Sequence, residues 1–212
     1  MTSNQRYLCG FAVTAAVAFT VAIASHAQQP AAPKPAAAKP AAAAAGAAGD
    51  QAKIRVAMTG APADIAKNAA IMDVDAKGQM KQLRAGTNGW TCMPSAGGAA
   101  GAAGADPMCL DKAWMGWADG WMHKTDPKVT TMGVAYMLRG DKGASNTDPF
   151  ATGPTATNQW VVSPPHIMVL LPDPKLMDAM PTDPHGGGAW VMWKGTKYAH
   201  LMVPINPVPP AK

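Results

Sequence analysis

Two cysteines constrain this chain more than any other feature. Cys92 and Cys109 flank the run Ser95 to Asp106, which is Ala, Gly and little else. That run has no large apolar side chain to pack, so it needs outside support. Immediately after it, Leu110, Trp114, Trp117 and Trp121 recur at helical spacing. At about 100° per residue they share a stripe roughly 60° wide. The spacing predicts a helix over 110–124, with Lys112, Asp119 and His123 on its far side. Asp106-Pro107 is the expected cap and first helical position, Asp111 sits near the positive end of the dipole, and Thr125-Asp126-Pro127 is the stop. Gly116 and Gly120 each cost about 1 kcal/mol against Ala in a helix interior, which points to close backbone neighbours on that flank. The cysteine spacing fits neither a C-x-x-C redox pair nor a zinc pattern. A disulfide between Cys92 and Cys109, tying the strand that ends near Met93 to the start of the helix, is the expectation. Closing roughly 17 residues is worth about 3 kcal/mol in chain-entropy terms.

A bridge requires an oxidising compartment, and the N-terminus reads as the means of reaching one. Arg6 precedes an apolar run, Phe11 to Ile23, too short for a comfortable membrane span. Ser25-His26-Ala27 has the small-x-small form of a cleavage site. Residues 1–27 are therefore read as a signal peptide that takes Cys9 with it. A periplasmic or secreted protein with two paired cysteines is expected. Residues 28–50 are Ala, Pro and Lys with almost no large apolar side chain, a composition for a disordered linker reaching up to about 70 Å at 3.1 Å per residue. Such a linker suggests association with the cell envelope. Residues 51–212 remain as a single folded domain. The formal charge of +5 includes Arg6 and the linker lysines, and no basic run interleaves with aromatics, which argues against nucleic-acid binding. No second apolar stretch is long enough to span a membrane once the signal is gone.

Within the domain, Lys53 to Met58 alternates like a strand, and Ala61 to Lys67 like a short helical turn. Ala70 to Val74 and Gln79 to Arg84 form a hairpin about Asp75-Ala76-Lys77-Gly78. Thr87-Asn88-Gly89 is a turn leading into a strand over 90–93. Beyond the helix, Thr130 to Leu138, Trp160 to Ser163 and Ile167 to Leu171 read as strands, the last apolar enough to be central. Gly140 to Gln159 and Pro172 to Gly188 are long loops. Trp190 to Trp193 and Lys197 to Val203 form the last hairpin. The sum is α+β, a mostly antiparallel sheet with one principal helix packed on it.

Gly86-Thr87-Asn88-Gly89-Trp90-Thr91-Cys92 and Ala144-Ser145-Asn146-Thr147-Asp148-Pro149-Phe150, with the His166 and His200 strands, resemble a group of exported bacterial proteins of unassigned function. The resemblance covers most of residues 70–203. It implies a single domain and carries no activity, cofactor or ligand.

Three constellations could carry chemistry. His166-Ile167-Met168-Val169 and His200-Leu201-Met202-Val203 are near copies. Alternate strand residues share a face, so each His lies beside its Met. If the strands are neighbours, two imidazoles and two thioethers suit copper, Cu(I) above all. Met also fills irregular cores, so plain packing is the competing reading. Ser145, Asn146, Thr147 and Asp148 lie in the first long loop. They could bind a hydroxylated ligand, or supply a serine nucleophile with His166 or His200 as base. They are equally the residues turns use for their own hydrogen bonds, and no Gly-x-Ser-x-Gly elbow is present. Arg139-Gly140-Asp141 matches an adhesion tripeptide that a strand-end turn also produces by chance. P-loop, dinucleotide, zinc-protease, calcium-loop and haem motifs are missing.

These observations point to an exported binding or structural module, non-enzymatic and without cofactor. The alternative is a copper-binding protein using His166, Met168, His200 and Met202. A small serine-type hydrolase is the third reading.

Overall fold

A computed structural model describes residues 40–75, 78–95 and 106–206, and these belong to the compact unit Lys39–Lys212. Residues 1–39, which hold the stretch read as a signal peptide and the first part of the one read as a linker, and most of the small-residue run after Cys92 lie outside the described residues.

The strands are β1 (Ala70–Val74), β2 (Met80–Arg84), β3 (Thr91–Met93), β4 (Met108–Leu110), β5 (Gly133–Met137), β6 (Ala144–Ser145), β7 (Trp160–Val161), β8 (His166–Leu170), β9 (Trp190–Met192) and β10 (His200–Pro204). Eight of them form one sheet in the order β2-β1-β3-β4-β5-β8-β10-β9, and β6 pairs with β7 apart from it. All neighbours run antiparallel except β1 and β3. The α+β reading is thus correct, and the hairpin of β1 and β2 and the closing pair β9 and β10 fall where the turn residues put them.

Helices cover both faces. α3 (Lys112–Met122) lays Trp114 and Trp117 against Leu110, Ala135, Met168 and Leu170. α1 (Pro40–Ala57) brings Ile54 and Ala57 onto Ile71, Cys92 and Cys109. Cys109 and Leu110 are consecutive strand residues and so point to opposite faces, which places the two helices on opposite sides of the sheet. A short helix, α2 (Ala63–Ala66), leads into β1.

Residues 53–57, read as strand, are the last turns of α1, and Met58 begins the 3₁₀ turn that follows. The alternation Lys-Ile-Arg-Val is superseded by a helical period: Ile54, Ala57, Met58 and Ala61 fall at i, i+3, i+4 and i+7, and all four join one apolar cluster. The alanine-rich run ahead of them has the highest helix propensity of any composition, and residues 40–50 of the stretch read as linker belong to this helix. Lys53 pairs with Asp73, and Lys81 with Asp50, tying the helix to the β1–β2 hairpin.

The tryptophan helix also starts later than its stripe suggests. Leu110 ends β4, and the N-cap is Asp111, whose Oδ1 accepts the Trp114 N–H at 2.9 Å. Its Oδ2 accepts the Val134 N–H at 2.6 Å, so one carboxylate caps α3 and fastens it to β5. Of the two helix glycines, Gly120 meets the expectation: a Cβ there would lie 3.0 Å from Pro127 Cα. Gly116 faces open space.

Cys92 and Cys109 are bonded, with Cα atoms 4.0 Å apart. They are direct partners in the antiparallel pairing of β3 and β4, so the bridge links two neighbouring strands, and the strand β4 stands between it and the start of α3. Among the described residues, no helix is long and apolar enough to cross a membrane.

Candidate functional site

β8 and β10 are neighbours, as the copper reading requires. Their register pairs Met168 with Met202 and His166 with Pro204. Continuing it, His200 comes opposite Leu170. The two methionines therefore meet at the centre, while the two histidines stand at diagonal ends of the block. The duplicated phrase does have a structural counterpart. Each imidazole binds the carbonyl two residues earlier, His166 Nδ1 to Pro164 O at 2.8 Å and His200 Nδ1 to Tyr198 O at 3.0 Å. All four side chains are buried on the face that α3 covers.

Surroundings separate the two histidines. His200 is enclosed by the indoles of Trp114, Trp117 and Trp193, with ring centroids 5.3, 5.5 and 4.9 Å away, each edge to face. Burial there pushes its pKa down to about 4, only partly opposed by the Tyr198 carbonyl. His166 lies beyond the indoles, near Asp141 and Ser163. Burial lowers its pKa as well, against the pull of the Asp141 carboxylate. Its Nε2 is buried and has no hydrogen-bond partner. Asp141, from the Arg-Gly-Asp tripeptide, is raised by desolvation. Its Oδ1 accepts the N–H groups of Gly143 and Ser163 at 3.0 and 2.9 Å, so it shapes its own turn and is not displayed.

The first long loop is more ordered than a polar segment suggests. Ser145 and Trp160 pair through β6 and β7. The Ser145 hydroxyl donates to Asn158 O at 2.8 Å and accepts the N–H groups of Thr147 and Asp148. All its partners are backbone groups of its own loop, and no histidine is among them. Asn146 is buried and equally engaged: its amide nitrogen donates to Gln159 Oε1 and Thr182 O, and its Oδ1 accepts the Trp190 indole N–H. Two of the four loop residues are thus braces. The other two, Thr147 and Asp148, are exposed and line a hollow of about 590 Å³. Phe150, Thr152, Thr155 and Thr157 also line it, with Ala151, Gly153, Pro154 and Asn158 between them. Asp148 uses Oδ1 to accept the Phe150 N–H. Asn158, itself buried, accepts the Thr155 N–H and donates to Gly153 O, which ties that turn of the loop together.

An aromatic stack connects this hollow to the core. Trp117, Trp193, Trp121 and Phe150 lie nearly parallel, with successive centroids 5.9, 6.4 and 6.2 Å apart. Trp193 adopts a φ of 57°, unusual for a bulky residue. Its backbone N–H is held by Asn146 O and its indole N–H by Ser145 O. The braces of the loop thus also fix the stack. Sequence reasoning missed Phe150, Trp193 and the later threonines. Only the cluster of hydroxyl residues around Asn158 was there to signal them.

Among the described residues, no group of three or more His, Cys, Asp or Glu side chains is placed to hold a metal ion. Comparison with protein-family models, curated proteins and solved structures finds no match to this chain. The geometry alone carries the functional reading.

Proposed function

We propose that this protein is an exported binding module that holds a polyhydroxylated ligand, of the saccharide class, in the hollow of residues 147–158. One observation carries the reading: a hollow of ligand size, about 590 Å³, combines threonine hydroxyls and one carboxylate with an aromatic ring. Small-molecule sites have volumes of this order, with a few placed polar groups beside an apolar wall. Asp148 keeps Oδ2 for a sugar hydroxyl, and the hydroxyls of Thr147, Thr152 and Thr157 can both donate and accept. Phe150 offers an apolar edge, backed by Trp121 and by Lys124, whose ammonium lies 5.0 Å from the ring centroid. Nothing in the hollow is an activated nucleophile, which favours binding over catalysis. Export is supported by the N-terminal pattern and by the disulfide, since such bonds persist in oxidising compartments. On this reading the mature protein is periplasmic or secreted and begins at Gln28.

Saturation-transfer NMR with a panel of neutral and acidic saccharides tests the site. Binding that weakens by roughly tenfold in Asp148→Ala, the effect of losing one charge-assisted hydrogen bond of about 1.5 kcal/mol, supports it. Absence of any saccharide signal, or signals indifferent to Asp148→Ala and Phe150→Ala, would overturn it. N-terminal sequencing of the protein recovered from the periplasm or medium tests export.

A further inference from the structure

The α3-covered face of the sheet carries a row of methionines that ends on His166. β4 and β5 pair Cys109 with Tyr136 and Leu110 with Ala135, so Met108 comes opposite Met137. Met137 pairs directly with His166, and Met108 pairs directly with Met93. The parallel register of β1 and β3 joins Ile71 to Cys92, which brings Met72 beside Met93. Four successive strands, β1, β3, β4 and β5, each give one methionine to the same line across the sheet. Met168, two residues from His166 on β8, shares its face, and Met202 is paired with Met168. Strands lie about 4.8 Å apart and directly opposed Cβ atoms about 5 Å apart, within reach of flexible thioethers.

The imidazole at the end of this row is set as a ligand. Its Nδ1 faces the Pro164 carbonyl at 2.8 Å, so Nδ1 carries the proton and Nε2 keeps its lone pair. That nitrogen is buried and unpartnered. A histidine held by a carbonyl on one nitrogen and free on the other has the arrangement of metal-bound imidazoles. A buried polar atom left without a partner is unfavourable, and a ligand on it would remove that penalty. Imidazole with thioethers selects a soft monovalent ion.

We infer that His166 Nε2, with the thioethers of Met137 and Met168, forms a binding site for Cu(I), and that Met108, Met93 and Met72 are a thioether path toward it. Met108 and Met72 are only partly buried, so the path opens to solvent. His200 is not part of this site, because indoles surround it and Leu170 is its cross-strand neighbour. The site is independent of the saccharide hollow: either stands if the other fails.

The test uses the full chain carrying Cys9→Ser, so that no free thiol competes once Cys92 and Cys109 are bonded. Cu(I) is titrated anaerobically against a chromophoric chelator, and Ag(I) is followed by the imidazole nitrogen resonances. One equivalent of Cu(I) should bind, and Ag(I) should shift the Nε2 resonance of His166 and leave that of His200 in place. Met137→Leu with Met168→Leu preserves volume and should weaken Cu(I) by at least about 10- to 100-fold, the range for loss of even an outer-shell partner. Met192→Leu, beside His200, should change nothing. Failure to bind Cu(I), an Ag(I) shift at His200 in place of His166, or affinity unaltered by the paired change overturns the site. If the paired variant loses its near-UV circular dichroism, the His166 resonance of the otherwise unaltered chain decides.

Discussion

His200 should make this protein sensitive to acid well before its carboxylates protonate. It sits among Trp114, Trp117 and Trp193, titrates at about 4 in the fold, and titrates near 6.5 in an unfolded chain. Above pH 6.5 it is neutral in both states and contributes no pH dependence. As pH falls below 6.5 the unfolded chain takes up the proton first, so unfolding becomes easier. The loss continues until the folded form also protonates near pH 4, and by then it amounts to about 3 kcal/mol. His166 is depressed by burial as well and acts in the same direction, while the raised Asp141 acts in the opposite one. The comparison that isolates His200 is therefore urea unfolding of the native chain and of His200→Leu at intervals from pH 7 to pH 4. The native chain should lose about 3 kcal/mol more than the variant over that range. Parallel curves, or a His200 imidazole that titrates near 6.5 by NMR in the native protein, would refute the claim that the indole cage excludes the charged form.

Other consequences follow from single contacts. Cys92 and Cys109 have no exposed surface, so the native protein should resist dithiothreitol. The Cys92→Ala, Cys109→Ala pair should be about 3 kcal/mol less stable by urea titration. Asp111→Ala removes both the α3 cap and the tie to Val134 and should cost about 2 kcal/mol; Asp111→Asn should recover part of this. Gly143 has a φ of 124°, and a Cβ there would lie 2.0 Å from the Trp160 indole nitrogen. Gly143→Ala should therefore destabilise by more than about 2 kcal/mol and disrupt the pairing of β6 with β7, visible as lost amide protection at Asn146, whose N–H binds Gln159 O at 3.0 Å. Trp121→Ala removes one ring from the stack and the N–H···O bond to Pro149 at 2.9 Å. It should loosen Phe150 and weaken saccharide binding while leaving the Met168–Met202 pairing intact.

Local patterns were legible where one period had no rival. The β1–β2 hairpin, the tryptophan stripe and the apolar β8 followed directly from spacing. Lys53 to Met58 was misread because two periods coexist there. Alternation runs through all six residues, whereas the helical period shows there only as Ile54, Ala57 and Met58 and is completed by Ala61. Leu110 continues the tryptophan stripe by spacing yet ends a strand, because Asp111 can cap only one way once its second oxygen holds Val134. At the candidate site, Thr147 and Asp148 line the hollow, but Ser145 and Asn146 brace it, and nothing in four small polar residues distinguishes those roles. Phe150 and Trp193 come together from segments more than 40 residues apart, a distance over which periodicity carries no information.

By itself the sequence determined composition and local geometry: which stretches bury an apolar face, where the backbone turns, and that two cysteines can be joined. Those properties depend on neighbours within a few residues. Tertiary structure alone decided the order of the strands and their register. Register is what sets Met137 beside His166 and moves His200 to the far side of the Met168–Met202 pair, since a shift of two residues exchanges every cross-strand neighbour while leaving the facing pattern unchanged.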